Sequence, residues 1–187
     1  RPRNEGGQLE FSGQVEVVSS LERDGSPVPR DLRWGVYCVF EAPNDYTADC
    51  FRQYGMNTDS SGRYSAMYKP FHLIGLELNI SILAAALRQQ ATGSPGYFNA
   101  DVVAVAKRDL AVGEVLDGEG GYMVWGKIAP AAASVSENAL PIGLAGDVKM
   151  TRPVNKGQIL SMDDIAADRS SQAWQVRDSM IREFGQQ

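Results

Sequence analysis

From Leu9 the chain alternates apolar and polar positions, with Leu9, Phe11, Val15 and Val17 on one face of an extended strand. Asp24-Gly25-Ser26-Pro27 reads as a turn. Alternation then resumes through Leu32, Trp34, Val36, Cys38 and Phe40. Two such runs around a turn predict a long hairpin within a broader sheet, because a lone hairpin leaves one face open. Pro43-Asn44-Asp45 opens a helix: asparagine caps free N–H groups, and an acid suits the positive helix end. Ala48, Phe51 and Tyr54 form its stripe and Gly55 is a natural stop. After the polar loop from Asn57 to Gly62, Leu73 to Gln90 is apolar on most sides, which predicts a buried helix.

Ala91 to Gly96 is dense in turn residues and marks a boundary, with one domain over residues 1–93 and a second over 94–187. The second domain opens on a half-buried strand at Asp101, with Val103 and Val105 on one face. Lys107-Arg108-Asp109-Leu110, a turn through Gly113 and a return at Glu114-Val115-Leu116 follow. The stretch from Lys149 echoes this unit at an offset of 44 residues: Arg108 aligns with Arg152, Leu110 with Val154, Gly113 with Gly157, Glu114 with Gln158, Val115 with Ile159 and Leu116 with Leu160. This predicts two copies of one small β unit, each with glycine at a tight turn. Asp117 to Gly121 reads as a flexible glycine-rich turn, Pro130 to Ser136 as a small-residue linker, and Ser161 to Ile165 as a capped helical turn. Ser170 to Phe184 is a last amphipathic helix, with Ala173, Trp174, Ile181 and Phe184 on its stripe and Arg177 and Arg182 beside it. The fold class is therefore α+β: a sheet with covering helices, then a compact β module and a C-terminal helix.

Composition narrows the function. A chain of 187 residues with 43% hydrophobic content has length for a real core. A net charge of −5 disfavours a nucleic-acid or anionic-membrane binder. It leaves room for a small anionic ligand, which needs only one or two local cations. One histidine and two cysteines, without CxxC or HxxxH spacing, argue against structural zinc. Cys38 and Cys50 read as buried free thiols. No apolar run is long enough to span a bilayer; the run from Leu73 is broken by Glu77, Asn79 and Ser81. The chain begins at arginine in a strand pattern, so we expect the C-terminal part of something longer.

The repeated unit resembles the SAF, or β-clip, domain, which recurs in sialic-acid synthases, sugar-acid dehydratases, assembly chaperones and one oxidoreductase family, and so names no function by itself. The blocks SSLERDG (19–25), DLRWGVYCVFEAP (31–43), YKPFHLIGLE (68–77), AKRDLAVGEVLDGEGGY (106–122) and LPIGLA (140–145) resemble a bacterial family. That family is the homoserine dehydrogenase-like oxidoreductases with a C-terminal SAF domain, some described as deoxyxylulose-phosphate reductoisomerase-like. The resemblance implies a Rossmann domain, a catalytic and dimerisation domain, and the SAF module. It also implies NADP or NAD as cofactor, a small polar substrate (phosphorylated in some cases), a cytoplasmic location and a place in isoprenoid biosynthesis. No GxGxxG follows a strand in this chain, so the cofactor half is expected outside it, and this segment alone is expected to be inactive.

Candidate chemistry gathers between Arg63 and Glu77. His72 and Lys69 are the catalytic candidates: hydride transfer to a carbonyl leaves an alkoxide that needs a proton, and histidine titrates near working pH. The plainer alternative for His72 is a capping or core histidine. Arg63 and Tyr68 are substrate-binding candidates, Arg63 for a phosphate or carboxylate; an exposed loop cation is its alternative. Glu77 joins them because an unpaired carboxylate in an apolar helix is costly and calls for a cation. Lys107, Arg108 and Glu119 read as a solvated turn. The competing function is a non-catalytic SAF or β-clip binding or assembly module, for carbohydrate binding or chaperone work, but such a module has no use for residues 9–90. A dehydratase fragment would need metal ligands that one histidine does not offer. Uncovered apolar surface in the first domain predicts a homodimer.

Overall fold

The computed structural model describes residues 15, 24–27, 36–69, 71 and 73–184. The chain divides into two compact units, Arg1–Ser94 and Pro95–Gln187. The strand expected from Leu9 lies outside the described residues. The turn at Asp24 is present: the Asp24 carboxylate accepts from the Ser26 N–H at 2.9 Å and from its hydroxyl at 2.7 Å.

In the first unit, β1 (Val36–Glu41) pairs antiparallel with β2 (Tyr64–Lys69), from Val36 opposite Lys69 to Glu41 opposite Tyr64. Between them lies α1 (Asp45–Gln53), where the Asn44 side chain accepts from the Thr47 N–H at 2.9 Å. That cap satisfies a backbone donor with no partner in the first turn, and Asp45 places negative charge at the positive helix end. Phe51 is buried and meets Phe40 edge to face, ring centroids 5.6 Å apart, which pins α1 onto β1. Tyr54 corrects the expected stripe: it caps the helix and is exposed. The thiols Cys38 and Cys50 are free, but they are not buried as expected: Cys38 is exposed and Cys50 half-buried.

The second helix, α2 (Ile74–Leu83), continues as a π-helical turn over Ala84–Arg88 and ends at left-handed Gln89. It was expected to be buried, yet no residue of it is. Nothing among the described residues of its unit packs over it, so apolar composition has here produced a bare helix.

The second unit holds β3 (Ala100–Ala106), β4 (Val115–Asp117), β5 (Val124–Pro130), α3 (Ala131–Ser136), β6 (Gly146–Met150), β7 (Ile165–Ala166) and α4 (Gln172–Phe184). β3 pairs antiparallel with β5 along seven residues, and β4, β6 and β7 form a second sheet in that order. The core draws on Ala104, Leu110, Leu116, Val124, Leu140, Met150, Leu160 and Trp174. β3 is not the half-buried strand its alternation suggests: Ala104 and Ala106 are as buried as Val103 and Val105, since both strand faces are covered. The stretch from Pro130 to Ser136 is not a linker but largely α3. Ser161 to Ile165 is a 3-10 turn closed by reciprocal Ser161–Asp164 capping.

The two β units are related by a local two-fold pattern. Leu110 and Val154 exchange N–H···O bonds of 2.8 and 3.0 Å. Gly113 donates to the Met150 carbonyl and Gly157 to the Ala106 carbonyl, each at 2.8 Å, so each copy's turn pairs with the other copy's strand. Both glycines have positive φ, +92° and +84°, a conformation a side chain disfavours. Even the side chains that brace the turns correspond: Glu114 accepts from the Ala111 N–H at 2.6 Å and Gln158 from the Asn155 N–H at 2.9 Å.

Candidate functional site

All the described candidates lie along β2 or just beyond it. Arg63 precedes the strand, where its guanidinium binds the Asp45 carboxylate through both terminal nitrogens, at 3.0 and 3.2 Å. Its backbone is held too. Asp59 accepts from the N–H groups of Arg63 and Tyr64 at 3.1 and 3.0 Å, and from the Ser61 hydroxyl at 2.7 Å. The Ser61 bond is the main reason the Asp59 carboxyl sits below the usual range, with the Tyr64 N–H next. Ser65 is buried and its hydroxyl donates to the Asn57 carbonyl at 2.8 Å, tying the loop to the strand. Around this loop runs an open groove of about 540 Å3, lined among others by Asp45, Arg52, Thr58, Ser60 and Arg63.

Lys69 stands at the other end of β2. Its ammonium is ion-paired with Glu77 in the first turn of α2 and lies 5.5 Å from the centre of the Phe71 ring. Glu77 also accepts the Leu73 N–H at 3.1 Å, so one carboxylate both caps the helix and holds the lysine. This answers the cost of a carboxylate in an apolar helix: it is only partly exposed but has a cation and a backbone donor. Tyr68 lies opposite Tyr37. Consecutive strand residues point to opposite faces, so Tyr68 and Lys69 do not share one. His72 lies outside the described residues.

The structure thus brings Lys69 and Glu77 together and sets Arg63 apart. Lys69 lies six residues beyond Arg63, roughly 20 Å along the backbone at about 3.3 Å per residue. Each cation is held by its own carboxylate, Arg63 by Asp45 and Lys69 by Glu77. Sequence reading missed Asp45 as the partner of Arg63, although its place beside a capping asparagine marked it as a helix-end charge. It also missed Asp59, whose signal was the Asp-Ser-Ser-Gly turn composition.

In the second unit, Lys107 donates to the Gly121 carbonyl at 2.5 Å, and Arg108 grips Glu114 at 2.6 and 3.1 Å. Asp117 accepts from the Tyr122 and Met123 N–H groups at 2.5 and 3.1 Å, so the glycine-rich turn is braced rather than open. The interior polar cluster of this unit was not foreseen. Asp101 accepts from the Ser134 hydroxyl and from Arg177, each at 2.5 Å, and the Arg177 guanidinium lies 5.1 Å from the centre of the Phe98 ring.

A nicotinamide dinucleotide does not fit these residues. Its pyrophosphate is held at a glycine-rich strand-to-helix turn with free N–H groups. Here the β1-to-α1 turn is Ala42-Pro43-Asn44, its end is closed by the Asn44 side chain, and Asp45 would repel phosphate. Among the described residues no three potential metal-ligating side chains cluster, and no helix is long and apolar enough to cross a membrane.

Residues 1–78 match the family model described as the catalytic domain of oxidoreductase DRL. The match ends at Leu78 and includes β1, α1, β2, Lys69 and Glu77. No curated protein matches the chain.

Proposed function

We propose that this chain is the substrate-side and SAF portion of an NAD(P)-dependent oxidoreductase, homoserine dehydrogenase-like or deoxyxylulose-phosphate reductoisomerase-like. The observation that carries the reading is the match of residues 1–78 to an oxidoreductase catalytic domain, because every candidate residue falls inside it. The first 93 residues are the catalytic and dimerisation region and residues 94–187 the SAF domain, a reading supported by the two-fold pairing of its β units. The protein is a cytoplasmic homodimer acting on a small polar substrate. Its cofactor is held by a domain outside these 187 residues.

Within this reading the reacting end is the Lys69–Glu77 end of β2. When a substrate carbonyl is reduced, its oxygen gains negative charge and must gain a proton. The Lys69 ammonium can donate both a hydrogen bond and that proton, and Glu77 fixes its direction. His72, three residues on in the sequence, is the second candidate donor. Arg63 holds the α1 end through Asp45 and acts on substrate only through the polar groove.

The test uses the full-length protein. NADPH and NADH binding is read by fluorescence, then cofactor oxidation is followed with a panel of small oxo acids and their phosphates, and reduction of NADP+ or NAD+ with the matching hydroxy acids. Lys69→Ala is expected to lower kcat about 100-fold or more while nucleotide affinity stays unchanged. A full-length protein that binds neither nucleotide overturns the reading, and the SAF domain then stands as a non-catalytic binding or assembly module.

A further inference from the structure

We infer that the open half of the β1–β2 face beside Lys69 seats the carbon chain of the substrate, and that Met67 and Cys38 there select a short 2-oxo acid with a hydrocarbon chain. The inference rests on the reading above, in which Lys69 meets the reacting oxygen, and it names the substrate class for that end of β2. Residues paired across antiparallel strands point to the same side, as do alternate residues along one strand. The register therefore puts Val36, Cys38 and Phe40 of β1 on one face with Lys69, Met67 and Ser65 of β2. Only Lys69 among these six is charged.

The two halves of this face are finished differently. At one end Phe40 meets Phe51 of α1, and buried Ser65 donates to the Asn57 carbonyl. At the other end Val36 and Met67 are 69 and 66% exposed, and Cys38 is exposed as well. Lys69 stands at that open end, directly opposite Val36. Two residue pairs extend roughly 7 Å along the strands and about 5 Å between them, the footprint of a few carbon atoms.

The chemistry of the lysine names the occupant. An ammonium has three N–H donors. Glu77 takes one, and the Phe71 ring, 5.5 Å away, flanks the group. Two donors remain, which match the carbonyl oxygen and the neighbouring carboxylate oxygen of a 2-oxo acid. The chain beyond the carbonyl then lies over Met67, Cys38 and Val36. None of the three carries a charge or a strong hydrogen-bonding group, so burying hydrocarbon there is favourable. A phosphate or a run of hydroxyls would lose water there without gaining a partner.

The test compares pyruvate, 2-oxobutyrate and 2-oxovalerate as substrates of the full-length protein, with 3-hydroxypyruvate as the polar match for 2-oxobutyrate. We expect kcat/KM to rise about fourfold with each added methylene, and 3-hydroxypyruvate to fall about tenfold below 2-oxobutyrate. Met67→Thr is expected to flatten the series and Met67→Leu to keep it; both replacements sit at an exposed strand position, and a purely structural role would not move the chain-length preference. Alkylation of Cys38 by iodoacetamide, followed on its own peptide by mass spectrometry, gives a readout apart from turnover. It is expected to slow several-fold when 2-oxovalerate and oxidised nucleotide are both present. No turnover of the series, equal or falling rates along it, or unslowed alkylation of Cys38 each overturn the seat and leave nucleotide binding, and with it the oxidoreductase reading, in place. A protein that binds neither nucleotide overturns that reading and the seat together.

Discussion

Glu114 is a surface carboxyl whose neighbours have changed its chemistry. The Arg108 guanidinium above all, and then the Ala111 N–H, pull it from the ordinary 4.5 down to about 2. Because the folded value is depressed, its contribution to stability is complete above pH 4.5 and is lost as the pH falls towards 2. Thermal unfolding between those limits is expected to depend less on pH in Glu114→Gln than in the wild type. An unchanged slope would show that the Arg108 contact does not persist in solution. The second β unit keeps the brace without the charge, since Gln158, which stands where the first unit has Glu114, holds the Asn155 N–H. The ion pair is therefore an addition to a turn that the backbone and its glycine already define. Residue identities announced the glycines at 113 and 157; no local pattern announced that Asp45, eighteen residues before Arg63, would be its partner.

At the scale of elements, α4 shows how a terminal helix is attached. Trp174 enters the core of the second unit, and three residues later Arg177 reaches Asp101 at the start of β3. Both side chains of that pair are about nine-tenths buried, and the Arg177 Nε has no partner. A buried pair contributes little over an apolar pair of the same shape, yet removing one member strands the other. Asp101→Asn is expected to lower the urea stability of the second unit by about 3–5 kcal/mol. Adding Arg177→Met to that variant is expected to restore part of the loss, the reverse of additive damage. If the two losses simply add, the pair is not coupled. The helix itself was legible from its stripe, as were α1 from its asparagine cap and the 3-10 turn from Ser161 and Asp164. α3 was not, because Ala-Ala-Ala-Ser-Val-Ser carries neither period nor cap, and packing against β3 and β5 decides it.

On the scale of the whole molecule, each unit stands on different ground. Among the described residues, the core cluster of the second runs from Ala104 to Trp174, with Leu144 and Ala167 packed against it. A fragment 95–187 is therefore expected to fold alone, with dispersed amide NMR signals and one cooperative unfolding transition. A fragment that stays unfolded would mean that its core depends on residues before Pro95. The first unit, by contrast, buries only Ala42 and Phe51 among its described apolar side chains and leaves α2 bare. Residue order alone was enough for the α+β class, the helix caps and the internal repeat. These follow from short-range spacing, which local sterics and hydrogen bonding convert directly into structure. The folded chain was needed to learn that Lys69 and Glu77 meet, that Arg63 lies a strand's length away, and that an all-apolar helix is uncovered. Each depends on which distant segments come to lie side by side, and periodicity measures how apolar a face is without naming what covers it.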